Sequence, residues 1–185
     1  MKNLIILGVE RSGKSSLAEM LIARGGFSDV SMDYLADSIT YGLPQVGLKD
    51  DSEIDNPTFL SFMQKMIDTF PYAKLPHVTI IEGIRISPRK AVEITKPDEY
   101  KIVVLGYPNR TATEVLKRIR EKEQDNCWTK DENDEFILEW VDKWIERSKI
   151  YQKDCHELGL TFIDTSFDFE NSLNDFANNI CEFLA

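Results

Sequence analysis

Residues Gly8-Val9-Glu10-Arg11-Ser12-Gly13-Lys14-Ser15 follow the spacing G-x-x-x-x-G-K-[ST]. A loop of this composition can turn its backbone N–H groups inward and hold the phosphates of a nucleotide. Glycine is required where the chain turns tightly and lies close to the ligand. Lys14 is placed to reach the terminal phosphates, and the hydroxyl of Ser15 is placed to ligate magnesium. The helix expected to follow adds the positive end of its dipole. Gly8, Glu10, Arg11, Ser12, Gly13, Lys14, Ser15 and Ser16 are therefore the candidate nucleotide-binding residues.

The elements that must position this loop are legible around it. Asn3 to Gly8 is a continuous apolar run of the kind that forms a strand buried on both faces. Lys14 to Arg24 carries Leu17, Ala18, Leu21 and Ile22 at helical spacing and closes on Gly25-Gly26. A second short strand is expected to end at Met32. Tyr34 to His77 reads as a long excursion with one clear helix, capped by Asn56 and opened by Pro57. Val78 to Ile81 is a third strand running into Glu82-Gly83, and Ser87-Pro88 opens a short helix. Lys101 to Leu105 is a fourth strand, and Asn109 is the expected cap of the next helix. Residues 121–135 are polar and lack periodicity; a long helix then runs from Phe136 to Leu158 and stops at Gly159. Thr161 to Asp164 is the last strand, followed by one amphipathic helix containing Leu173, Phe176, Ala177, Ile180 and Leu184. Alternating strands and helices predict a parallel sheet with helices on both faces and a site at the carboxyl ends of the strands.

On the loop motif and this order of elements, the chain resembles the P-loop small-molecule kinases of the nucleoside monophosphate kinase-like group, uridine-kinase-like and adenylate-kinase-like enzymes among them. The resemblance implies an α/β fold of three layers with a five-stranded parallel sheet in the order 2-3-1-4-5. It implies one domain over residues 1–185, with an acceptor-binding insertion at about 34–77 and a lid at about 121–135. It also implies ATP as co-substrate with Mg2+, and a small-molecule acceptor. Asp33 falls where hydroxyl-phosphorylating relatives keep an aspartate, and a carboxylate there can accept the proton of an attacking hydroxyl. Glu82 ends the third strand as the acidic residue of a Walker B motif would, so it is a candidate for the metal's water shell or the acceptor. Together with Ser15 it makes the candidate metal site. A charge at the end of a buried strand is costly without a partner, which favours function. Arg118 and Arg120 precede the lid, where relatives place arginines that clamp the moving phosphoryl group; two residues apart on a helix, they point in different directions. Arg147 is a second candidate for that task. Arg85 is the expected acceptor anchor, with Arg89 near the same pocket. Lys14, Asp33, Arg118 and Arg120 form the candidate catalytic set.

Thr95-Lys96-Pro97-Asp98 imitates the guanine-reading signature of GTPases, but no buried strand leads into it, and it reads as a surface turn. Trp140 and Trp144 lie on an apolar stripe and read as core; Trp128 is the one lid aromatic of interest.

Composition narrows the chemistry. The net charge is −10 and the pI about 4.7, which argues against coating nucleic acid or binding an anionic membrane. At 42% hydrophobic, the 185 residues suffice for a real core. Cys127, Cys155 and Cys181 show no metal-ligand spacing and read as reduced thiols, hence a cytoplasmic location. The acidity is concentrated: residues 33–77 hold 3 basic against 7 acidic side chains, and residues 121–135 hold 2 against 7. No arginine occurs between Gly25 and Ile84. A doubly charged monophosphate would find few cations there, so the expected acceptor is a nucleoside, sugar or other metabolite bearing a hydroxyl. The alternatives are a nucleoside monophosphate kinase using Arg85 and Arg89, and a nucleotide-binding regulator without an acceptor.

Overall fold

Aliphatic runs with few polar interruptions become five strands, β1 (Asn3–Gly8), β2 (Phe27–Ser31), β3 (Val78–Gly83), β4 (Tyr100–Gly106) and β5 (Thr161–Asp164). A computed structural model describes residues 2–48, 53–70, 77–122 and 128–185, and of Trp128 the backbone alone. The strands form one parallel sheet in the order β2-β3-β1-β4-β5, as expected. Eight helices cover it among the described residues: α1 (Lys14–Ala23), α2 (Met32–Gly42), α3 (Pro57–Thr69), α4 (Pro88–Ile94), α5 (Ala112–Glu121), α6 (Asp134–Leu158), α7 (Phe169–Asn178) and α8 (Ile180–Phe183).

The two-residue repeat of a strand divides the core into two layers. Ile5 and Leu7 of β1 face a cluster built with α2, α3, α5 and α6, around Phe59, Met63, Val115 and Trp144. Leu4 and Ile6 face the opposite cluster with α1, α7 and α8, around Leu17, Leu21 and Leu173. These side chains are almost wholly buried, and each contributes about 1.5–3 kcal/mol of transfer free energy. From β1 the chain crosses through α1 to β2 on one side. From β3 it crosses through α4 to β4 on the other. The crossovers diverge at β1, and the crevice this leaves at the strands' carboxyl ends is where α/β sheets bind ligands.

Several boundaries differ from expectation for local reasons. β2 ends at Ser31 and Met32 already opens α2, so among the described residues the excursion holds two α-helices where one was expected. Thr111, not Asn109, caps α5: its hydroxyl accepts from Glu114 N–H at 3.3 Å while Glu114 accepts from Thr111 N–H at 2.8 Å. Asn109 instead donates its side-chain amide to Asp164 at 2.8 Å, tying the β4 and β5 ends together. α6 starts at Asp134 because Asn133 caps it, accepting from Phe136 N–H at 2.9 Å. The final helix divides into α7 and α8 at Asn179. Asp50, Asp51 and Cys127 lie outside the described residues. Asp55 accepts from Ser87 N–H at 2.8 Å, joining the segment before α3 to the turn after β3. Cys155 is a buried and Cys181 an exposed free thiol. Among the described residues no helix is long and apolar enough to cross a membrane.

Candidate functional site

Residues 8–13 bend between β1 and α1 as the motif requires, and neighbouring elements hold the bend from outside. Tyr107 donates its hydroxyl to Glu10 O at 2.8 Å, and Thr165 donates to Ser12 O at 3.3 Å. Ser12 is wholly buried and its hydroxyl donates to Val9 O at 2.8 Å. Gly13 has φ +102°, and a Cβ there would stand 2.6 Å from Phe169 Cε2, so no other residue fits without displacing that ring. Lys14 lies buried beneath the loop, its ammonium donating to Val9 O at 2.8 Å. Burial pulls its pKa below the ordinary lysine value, and the carboxylates of Asp33, Glu82 and Glu10 oppose that shift. The desolvation cost of the cation is met in the folded chain, before any phosphate arrives.

Glu82 is 4% exposed at the end of β3, in register with Ser31 of β2 and Ile6 of β1. Ser15 donates its hydroxyl to Glu82 Oε2 at 3.4 Å, so the two candidate metal ligands already face one another. Burial raises the Glu82 carboxyl above the ordinary carboxylate range, and Ser31 and Lys14 only partly restore the ionised form. Among the described residues no group of three or more His, Cys, Asp or Glu gathers to hold a metal. A hydroxyl and one carboxylate fit a magnesium ion that completes its shell with phosphate oxygens and water.

Asp33 lies in the first turn of α2, next to Gly83, whose missing side chain leaves room: a Cβ there would stand 2.8 Å from Met32 Cβ and 3.2 Å from Asp33 Oδ1. Asp33 Oδ1 accepts from Ile84 N–H at 3.3 Å and lies 3.4 Å from Arg85 Nε. Ser31 holds the cap position of α2. Arg85 is 8% exposed and donates to Asp37 at 2.8 Å. The expected acceptor anchor is thus committed to two carboxylates of the chain itself, and its visible effect is to hold Asp33. Arg89 turns away from the site and pairs with Asp154, at 2.6 Å, and with Glu157.

Arg118 and Arg120, two apart on α5, separate as their spacing predicts. Arg118 lines a cavity of about 340 Å³ that opens from the loop, and its guanidinium lies 3.5 Å over the Phe169 ring. Burial lowers the Arg118 pKa to about 10, and Arg110 nearby adds to the shift. Arg120 does not line that cavity. It donates to Thr129 O at 2.8 Å and Glu132 O at 2.7 Å and pairs with Asp134, fastening the turn at Trp128–Asp131 to α5. Residues 123–127 of the expected lid lie outside the described residues. Arg147 pairs with Glu10 at 3.0 Å, and Arg11 donates to Thr129 at 3.3 Å, so the loop touches both α6 and the turn at Trp128–Asp131. Gly13, Lys14, Ser15 and Ser16 also line the cavity. Lys96 in the GTPase-like signature pairs with Glu99 at 3.6 Å on the surface, as a plain turn would.

Sequence reasoning overlooked Arg110, Tyr107 and Phe169. Arg110 stands in the turn after β4, at a carboxyl strand end, which is the signal that would have found it. Tyr107 announces itself only through its long-range bond to Glu10, and Phe169 only through the fold.

No family model matches the chain, and no curated protein matches it in sequence. Among solved structures, it is similar to a shikimate kinase from Bacteroides thetaiotaomicron, at 10% identity and a TM-score of 0.59 over 97% of this chain and 98% of that one. A gluconokinase from Sinorhizobium meliloti 1021 matches at 14% identity and 0.54, covering 98% and 96% of the two chains. A shikimate kinase from Acinetobacter baumannii, solved with shikimate, matches at 17% and 0.53, covering 98% and 92%. The sheet order and flanking helices are those of the P-loop kinase fold, and the chain's structural neighbours include small-molecule kinases.

Proposed function

We propose that the chain is a kinase that transfers the γ-phosphoryl group of a nucleoside triphosphate, ATP in the family it resembles, to a hydroxyl of a small molecule. The observation that carries this is the meeting of Lys14, Ser15, Glu82 and Asp33 at the carboxyl ends of β1 and β3, where the Ser15 hydroxyl lies 3.4 Å from Glu82. Phosphoryl transfer asks a protein mainly for positioning and charge neutralisation. In this reading the loop N–H groups and Lys14 hold the donor phosphates, and Ser15 and Glu82 hold magnesium. Asp33 accepts the acceptor's hydroxyl proton as its oxygen bonds to the γ-phosphorus and the bond to the leaving diphosphate breaks. Arg118 lines the cavity that opens from the loop.

Two shikimate kinases and a gluconokinase among the neighbours support an acceptor that is a small metabolite. A nucleoside, a sugar or another metabolite of low negative charge fits best. Arg85 and Arg89, the cations a monophosphate would need, are already paired with Asp33, Asp37, Asp154 and Glu157. The test is a panel of acceptors scored by nucleoside diphosphate release with Mg2+. Uncharged hydroxyl compounds are expected to stimulate release and nucleoside monophosphates to leave it unchanged. Stimulation by monophosphates alone, or slow hydrolysis that no acceptor alters, contradicts the proposal.

A further inference from the structure

The cavity that opens from the loop is lined by Arg11, Lys14, Arg110, Arg118 and Lys122 with no acidic side chain among its described lining residues, although the chain as a whole carries a charge of −10. Arg11 and Lys14 belong to the phosphate end. Arg110, Arg118 and Lys122 stand at the other end, where a second hollow, sharing these three and Phe169, continues the first. A triphosphate seated on the loop directs its nucleoside along this path. Val115 and Ile119 give an apolar wall for a base, and Phe169 with Arg118 gives a flat stacking surface.

Arg110 is the odd member of this set. Its Nε is buried and has no hydrogen-bond partner among the described residues. The second hollow also carries Glu114, Glu121, Asp168 and Glu170, each already engaged: Glu114 accepts from Thr111 at 2.8 Å, Glu121 pairs with Lys117 at 3.8 Å, Asp168 accepts from Asn171 at 2.6 Å, and Glu170 pairs with Lys122 at 3.9 Å. Arg110 also lies close enough to Arg118 to disfavour the charge on Arg118. Two guanidinium groups held together, one with a buried orphan donor, call for a ligand that brings acceptors.

We propose that Arg110 reads the edge of the donor's base and makes the chain prefer a purine that offers two acceptors there, of the guanine or hypoxanthine type, over adenine. Arginine donates in bidentate fashion to the O6 and N7 acceptors of guanine, whereas adenine places a donor amine where O6 would be. The stack of Arg118 on Phe169 sets the plane of the base and Arg110 meets its rim. This rests on the proposal above that a nucleoside triphosphate occupies the loop, and it adds the identity of its base.

Titration calorimetry with Mg2+ and four nucleotides on the wild-type chain tests it: GTP, ITP, 7-deaza-GTP and ATP. GTP and ITP are expected to bind roughly tenfold more tightly than ATP, within the range of a bidentate arginine pair, and 7-deaza-GTP to lose most of that advantage. Arg110→Ala should erase the difference between GTP and ATP while ATP binding persists, and Arg110→Gln should tilt the preference toward ATP, since glutamine pairs with adenine N6 and N7. Equal affinity for ATP and GTP in the wild type, or a GTP preference that survives Arg110→Ala, overturns the assignment while leaving the loop's role intact. Failure of every nucleotide to bind overturns both.

Discussion

Replacing Glu82 by Gln should make the protein more stable and less able to bind magnesium nucleotide. Glu82 is 4% exposed, and burial outweighs the help of Ser31 and Lys14, so the carboxyl sits above its ordinary range. Between the ordinary value and the raised one, the folded state keeps a proton that the unfolded state has lost. Stability therefore falls as pH rises through that window, and the cost persists at neutral pH. A glutamine retains the acceptor for Ser15 while shedding the buried charge. A gain on the order of 1 kcal/mol follows, a rise in Tm of about 2–4 °C for a chain of this size. Thermal melts of wild type and E82Q at pH 5 and pH 8 are the assay, with magnesium-dependent nucleotide affinity measured alongside. The gap should be wider at pH 8 than at pH 5, and the magnesium effect on binding should shrink in the variant. An E82Q protein that is less stable at pH 8, or one that keeps the full magnesium effect, would refute the reasoning.

Gly13→Ala should abolish nucleotide binding in a titration and cost about 1–3 kcal/mol in a denaturant melt, since φ is +102° and the new Cβ would meet Phe169 at 2.6 Å. Arg85→Met frees Asp33 and Asp37 from their shared partner, so kcat should fall about 10- to 100-fold while KM for the donor stays within about twofold, with partial recovery in Arg85→Lys. Equal changes in both constants would speak against a positioning role. Arg120→Ala removes bonds to Thr129 O and Glu132 O and the pair with Asp134; it should lower stability by about 1–2 kcal/mol with donor affinity nearly unchanged.

What could be read from the chain was local, and what could not depended on distant partners. The phosphate loop, the strand that feeds it and the position of Glu82 at the end of β3 follow from spacing and hydrophobic runs, whereas the choice of Asp33, which lies in the first turn of α2, and the sheet order follow from the resemblance. The fate of the arginines does not. Arg85 is captured by Asp37, 48 residues earlier, and Arg89 by Asp154, 65 residues later. No local pattern announces such pairs. Arg118 and Arg120 were separable only as a pair pointing apart; which one met the cavity was decided by the turn at Trp128–Asp131 that claimed Arg120. The cap of α5 moved from Asn109 to Thr111 because Thr111 has Glu114 three residues on, a capping box that outcompetes a lone asparagine. The concentrated acidity now has a structural counterpart. Asp33 and Asp37 neutralise Arg85, whereas no acidic side chain lines the cavity beside the loop among the described residues.

The most direct test of the kinase assignment is nucleoside diphosphate release in the presence of a stimulating hydroxyl acceptor, measured for the wild type and for Lys14→Ala. Lys14 is buried under the loop and faces Asp33 and Glu82, so its removal should reduce acceptor-dependent release by at least about 1000-fold, with the variant still folded by circular dichroism. A Lys14→Ala protein that phosphorylates the acceptor at near wild-type rate would contradict the account.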